Sequence, residues 1–343
     1  MRRPTARPVF VLLLALLLAP PAPARGQDVG ELISVLTGEN AQGYVGPLAR
    51  GLGHALTAGF VSSADPHGPL GFSVGVRAVG GLFQDEDESF AVVVPTSVEF
   101  THPLFGTRTY QNPYRVSTSD GRSPTVAGEG EGASLIPQGQ YALDLASAGR
   151  DGEIGPFPEG LDLPAAPFAV IDAAVGIGFG TQIMARIVPT LDLGNFVGVD
   201  EVGDVSAFGV GVMHNLTQWL PIPTPFWDVS LVAGTQKLEA GDYLEASGTT
   251  LGLVASAGLG PLSAYAHAST YKAGLDFDYT VENPDENPAL PHDGTRVRFE
   301  QEVERTQRLA IGAQLDLILM KISAEYGMGD YETISARVAF GLR

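Results

Sequence analysis

The chain has 343 residues, 39 acidic against 20 basic side chains, a formal net charge of −19 and no cysteine. That balance argues against nucleic acid as a partner, because phosphate binding is carried by Lys and Arg. The missing thiols exclude disulfides, cysteine catalysis and thiolate metal sites.

Residues 1–26 have the layout of a secretory signal peptide. Arg2, Arg3 and Arg7 form a positive leader, Val9 to Ala19 is an unbroken apolar run, and Pro20 and Pro21 end it. The run is shorter than the roughly 20 apolar residues that a spanning helix needs. Cleavage is expected after Ala24 or after Gly26, and either cut removes arginines but no acid, leaving the mature chain more acidic still.

Residues 27–60 predict helix. Leu32, Ile33, Val35 and Leu36 have helical spacing behind Asp28 as an N-cap, and Asn40 caps a second short helix that carries Tyr44 and Leu48 before Gly51 and Gly53 end it. Two short helices ahead of a sheet suggest a plug packed by Leu32, Leu36, Tyr44 and Leu48. A helical segment lying under a barrel on its periplasmic side fits the same composition.

From residue 61 to 343 the dominant period is two, the period of a strand with a different environment on each face. Phe72, Val74, Val76 and Ala78 alternate with Ser73, Gly75 and Arg77, and Phe208, Val210 and Val212 alternate with Ala207, Gly209 and Gly211. Leu251 to Gly258 and Ile334 to Leu342 repeat the pattern. About eleven such runs, with the even strand numbers of bacterial single-chain barrels, predict an all-β transmembrane antiparallel β-barrel of about 12–14 strands. A soluble sandwich would also alternate, and it is the export signal that favours the membrane.

Within that region, Asp85-Glu86-Asp87-Glu88 offers either hard oxygen ligands for calcium or a solvated hairpin tip. Residues 101–167, rich in Gly and Pro, read as a long loop, either folded into the lumen or extracellular. Trp219 and Trp227, flanked by Pro221, Pro223 and Pro225, are expected at a membrane interface. Near the end of the chain, Leu275, Phe277 and Tyr279 oppose Asp276 and Asp278, and Val297, Phe299, Val303, Leu309 and Ile311 oppose Arg296, Arg298, Glu300, Glu302, Glu304 and Arg308. Those charged residues are assigned to the lumen as a polar conduit, or else to mutual compensation on a strand extension that projects beyond the bilayer.

Asn40-Ala41-Gln42-Gly43-Tyr44-Val45-Gly46-Pro47-Leu48, Ala64-Asp65-Pro66-His67, Gly176-Ile177-Gly178-Phe179-Gly180-Thr181 and Gly209 to Pro221 together resemble an uncharacterised family of bacterial outer-membrane barrels. That family is similar in turn to the long-chain fatty-acid transporter barrels. The resemblance covers nearly the whole mature chain and implies a cell outer membrane location and passive transport. Its motifs are turns and strand edges with no assigned chemistry. Such barrels usually end on an aromatic residue, whereas this sequence ends Phe340-Gly341-Leu342-Arg343.

Chemistry is sparse. The six histidines include no pair at the i, i+4 spacing of a helical zinc site, and neither a Gly-x-Ser-x-Gly elbow nor a phosphate loop occurs. No cofactor, metal site or catalytic residue is assigned, and the chain is read as a non-enzyme. Its expected partners are the lipid bilayer, a small hydrophobic molecule as permeant, and in the alternative reading another envelope protein held by the long loops. A third reading, an outer-membrane hydrolase, rests on Ser263, His267 and Ser269 sharing one face of a strand.

Overall fold

A computed structural model describes residues 38–192, 204–221, 226–241, 244–280 and 294–342. The signal-peptide reading of residues 1–26, and Leu32 and Leu36, fall outside them.

Helix α1, Gly38–Leu56, is followed by an extended segment that enters strand β1, Phe72–Leu82. Nine further strands complete a closed barrel: β8 Ala165–Gly178, β9 Thr181–Asp192, β10 Asp204–Asn215, β11 Trp227–Ala240, β12 Leu244–Leu259, β13 Leu262–Thr280, β14 Arg296–Leu317, β15 Met320–Gly329 and β16 Thr333–Leu342. Every pairing is antiparallel, and Phe72 opposite Leu342 through Gly81 opposite Thr333 joins the last strand to the first. Closure leaves no unpaired edge, as an apolar solvent requires of a sheet.

The all-β barrel is as the alternation predicts, but the described residues close it with ten strands rather than twelve to fourteen. Between β1 and β8 lie further segments that are strands without being wall. They are β2 Ser89–Ala91, β3 Ser97–His102, β4 Gly106–Gln111, β5 Tyr114–Val116, β6 Arg122–Pro124 and β7 Leu135–Pro137, which pair among themselves as β2 with β6, β3 with β4 and β5 with β7. With helix α2, Gly139–Ser147, they make a folded cap out of the stretch read as a loop at 101–167.

The outward positions are apolar around the whole circumference. Val74, Ile171, Ile187, Phe208, Val210, Leu231, Leu253, Ile311 and Phe340 are all exposed on the wall's outside. A closed strand wall with this belt and a polar interior has the build of an outer-membrane barrel. The connections at Phe179-Gly180, Gly260-Pro261 and Ile318-Leu319 are short, whereas the cap joins β1 to β8 at the other end. Short turns mark the periplasmic end and the cap the outer one.

Strands β13 and β14, of 19 and 22 residues, exceed the ~9 to 11 that cross a bilayer. Along β13 the inward positions change character near Tyr271. Below it they are Ser263, Tyr265, His267 and Ser269, with Ala264, Ala266 and Ala268 outside; above it they are Ala273, Leu275 and Phe277, with Lys272, Asp276 and Asp278 outside. Inside the membrane belt the wall is apolar out and polar in; above the belt, water lies outside and a packed interior within.

Candidate functional site

The outer half of the barrel interior is filled by α1. Ala41, Tyr44, Val45, Leu48, Leu52, Ala55 and Leu56 recur at the three- and four-residue spacing that gives a helix one apolar stripe. All but Leu48 are buried, and Leu48 packs against the same cluster. α1 is therefore one helix of 19 residues, and it runs through Gly51 and Gly53 instead of ending there. The reason is packing against the wall. A Cβ on Gly51 would lie 2.6 Å from Cβ of Ala166, and one on Gly53 would lie 3.1 Å from Val303 and 3.2 Å from Ala273. Glycine's weak helix propensity is outweighed here by the close approach it permits.

Asn40 is likewise no cap. It sits inside the helix, buried, accepting from the Val93 backbone N–H at 2.8 Å and donating to the Val93 carbonyl at 3.0 Å. Tyr44 donates to the Glu159 carbonyl at 2.9 Å. The outer end of α1 is thus built into the cap.

Its inner end is held by buried side chains. Arg308 donates from Nη2 to the His54 carbonyl and to Thr57 Oγ1, each at 2.9 Å, and its guanidinium lies 4.1 Å over the Tyr271 ring. Arg186 donates to the Ala58 carbonyl at 3.0 Å and to the Gly59 carbonyl, with its guanidinium 3.8 Å over Phe60. Arg308 meets a last-turn carbonyl of the helix and Arg186 the two carbonyls just past its end, so both cations oppose the helix dipole. His54 stacks on Tyr331 and lies 2.6 Å from the Tyr271 hydroxyl. Tyr331 donates to Asp87, which also takes Arg50 of α1 at 2.6 Å. The Asp85 to Glu88 run is therefore no calcium loop or bare hairpin tip at Asp87, which is a buried anchor for the helix. Among the described residues no group of His, Asp and Glu is arranged to hold a metal.

Below the helix the lumen is charged. Asp172 accepts from Arg77 Nε at 3.0 Å and from Arg337 at 2.7 to 2.8 Å, while Arg77 Nη2 also donates to Ser62 at 2.8 Å. Arg77 and Arg337 are directly opposite across β1 and β16, and Asp172 and Arg186 across β8 and β9. One carboxylate bridges two arginines that would otherwise repel. None of these four was singled out from sequence. The signal was a lone charge inside an apolar or small-residue strand, as in Phe168 to Val175.

The lumenal assignment of the charged residues near the C-terminus is corrected. Asp276, Asp278, Arg296, Arg298, Glu300, Glu302 and Glu304 point away from the lumen, and the Arg296 and Arg298 side chains are 64% and 72% exposed where they pair with Asp278. Arg308 alone of the set faces inward. A register shift opposite Tyr271 and Ala273 places an extra residue in β14, so even positions face the lumen below it and odd positions above it. Val297, Phe299 and Val303 turn inward against α1 and the cap, and the charges go to water.

Trp219 stands exposed in a short 3-10 turn, and Trp227 opens β11, both at the periplasmic rim. Ser263, His267 and Ser269 face the lumen, not lipid, and neither His267 Nε2 nor Ser269 Oγ has a hydrogen-bond partner, so no nucleophile–base contact joins them.

A family model described as a family of unknown function (DUF6588) matches residues 5–342. No curated protein matches the chain. Among solved structures, the COG4313 outer membrane channel from Pseudomonas putida F1 is 7% identical, with 81% of this chain and 98% of that one covered and a TM-score of 0.30. OmpT, an outer membrane protein of Vibrio cholerae, is 10% identical over 79% and 98% with a TM-score of 0.25. Ail, the attachment invasion locus protein of Yersinia pestis, is 10% identical over 50% and 95% with a TM-score of 0.26. Likeness at this level carries no argument about activity.

Proposed function

The chain belongs to this family of unknown function, and from that premise and the geometry of its lumen we propose that it is a gated passive conduit for small hydrophobic molecules in the outer membrane. The observation that carries the reading is α1 itself, a helix seated in the lumen between the cap and the charged waist. Around it the outer half of the interior is apolar, built from Val79, Phe168, Val170, Leu275 and Phe277, so a hydrophobic solute would find a compatible chamber wherever the helix gave way. In this reading α1 is the plug, Tyr44 and Leu48 seat it, and Trp219 and Trp227 anchor the periplasmic rim at the headgroups. The relation to fatty-acid transporter barrels belongs to the same proposal.

The test is uptake of an apolar solute by vesicles carrying either the full mature chain or one lacking residues 28–58. Uptake should rise on deletion. An unchanged rate, with the barrel still folded, would contradict the plug.

A specific observation also supports a docking barrel. The cap presents Leu104, Phe105 and Leu143 as exposed apolar side chains at the outer end. Co-purification of a stoichiometric envelope protein, with no solute flux in vesicles, would favour that alternative.

A further inference from the structure

At the periplasmic half of the lumen, below α1, lies a cavity of about 50 Å³ whose wall includes Arg77, Arg186, Arg337, Lys321, Asp172 and Asp65. We propose that this cavity binds a compact monovalent anion of halide or formate size, a role separate from solute passage.

The charge balance is the first argument. Four cations against two carboxylates line the space, and Asp172 is already shared between Arg77 and Arg337. Lys321 lies 3.3 Å from Asp316, while Arg186 donates to two backbone carbonyls and lies 3.3 Å from Gln236 Oε1, all neutral acceptors. Glu325 and Arg308, both buried, face the same lumen, and the Glu325 carboxylate acts on Arg186 as well as on Arg308. Among the described residues, Arg77, Arg186, Arg337, Lys321 and Arg308 stand against Asp172, Asp65, Asp316 and Glu325, an excess of one cation ringed by an apolar belt in which charge is costly to leave uncompensated.

The second argument is unspent donor capacity. Arg77 is 2% exposed and its Nη1 has no acceptor. Gln182, also in the wall, accepts the His67 backbone N–H through Oε1, which leaves its NH2 group to donate. Arg337 reaches Ser73 Oγ at 3.2 Å, and that hydroxyl lies 3.0 Å from His67 Nε2. Guanidinium and amide donors converging on a small space recognise an anion by charge and by hydrogen bonds together. The size of the space selects against a bulky one.

The experiment uses the full mature barrel folded in a zwitterionic detergent. Its unfolding midpoint is followed as sodium bromide or sodium formate replaces sodium gluconate at constant ionic strength, gluconate being too large for the cavity. The midpoint should rise saturably with bromide and with formate, as ligand binding to the folded state requires. Lys321→Gln should weaken the half-saturation about tenfold and Asp172→Asn should tighten it. A bromide-soaked crystal should give an anomalous peak between Arg77 and Arg186. If Asp172→Asn does not fold, Lys321→Gln and the peak decide. Midpoints identical in gluconate, bromide and formate, together with no peak, would overturn the proposal.

Discussion

At the scale of single residues, the interior depends on a few buried side chains that each satisfy a backbone or charged group. Tyr331 is one of them, and burial followed by the Asp87 carboxylate pushes its phenol well up from its ordinary value. Tyr331→Phe keeps the ring stacked on His54 but removes the donor to Asp87. It should cost roughly 1.5–3 kcal/mol, the range for a hydrogen bond to a charged group, read as a lower unfolding midpoint. In the cap, Asp144 accepts from Tyr110, from Gln140 at 2.7 Å and from Arg108 at 3.1 Å. The Tyr110 hydroxyl, first among these, holds its carboxyl below the usual range. A depressed folded value means that Asp144 contributes stability above its ordinary pKa of about 3.9, and that the contribution is lost as pH falls through the folded value. Hydrogen exchange in residues 97–147, corrected for intrinsic rates, should therefore lose protection below about pH 4 in the native chain. Asp144→Asn should lack that transition. At this scale the sequence was least informative: Arg77, Asp172, Arg186 and Arg337 lie far apart in the chain, and only closure of the sheet makes them neighbours.

At the scale of elements, the period of two was legible and the direction of each face was not. Odd positions in β14 are apolar on both sides of the register shift, and only the interruption by Gln301, Arg305 and Gln307 marks the region where Val303 turns inward and Leu309 outward, without saying which face is which. The apolar stripe of α1 was legible in part, at Tyr44 and Leu48, but Gly51 and Gly53 read as terminators because the wall they approach is remote in sequence. The outward flip has an energetic consequence. Glu239 opposes Glu245, Glu245 opposes Asp276, and Asp276 opposes Glu300, forming an outward row of carboxylates across four strands that only Lys237, at 3.0 Å from Glu245, directly relieves among the described residues. Like charges directly opposite destabilise a sheet. Asp276→Asn should accordingly stabilise the barrel by roughly 0.2–1 kcal/mol at low ionic strength. Thermal unfolding should show the gain shrink as salt is added.

At the scale of the molecule, the barrel has two stacked interiors, an apolar one under the cap that holds α1 and a charged one between the helix and the periplasm. The export signal, the alternation and the lack of a long apolar helix made the barrel class readable from sequence. The strand number overshoots because about eleven period-two runs are raised to an even count, whereas the described residues close the wall with ten. The division of the lumen depends on where the membrane belt stops, which no local pattern states. The central claim is that α1 must move for solute to pass, and the cysteine-free chain allows it to be tested with one engineered disulfide. Gly53→Cys with Ala273→Cys places two Cβ atoms about 3.2 Å apart, a few tenths of an ångström short of the usual disulfide separation of roughly 3.5–4.5 Å, a gap that a small shift of the helix closes. Uptake of an apolar solute by vesicles carrying this variant is then measured before and after reduction. The account predicts little uptake while the disulfide is closed and native uptake once it is reduced. Equal uptake in both states would contradict it.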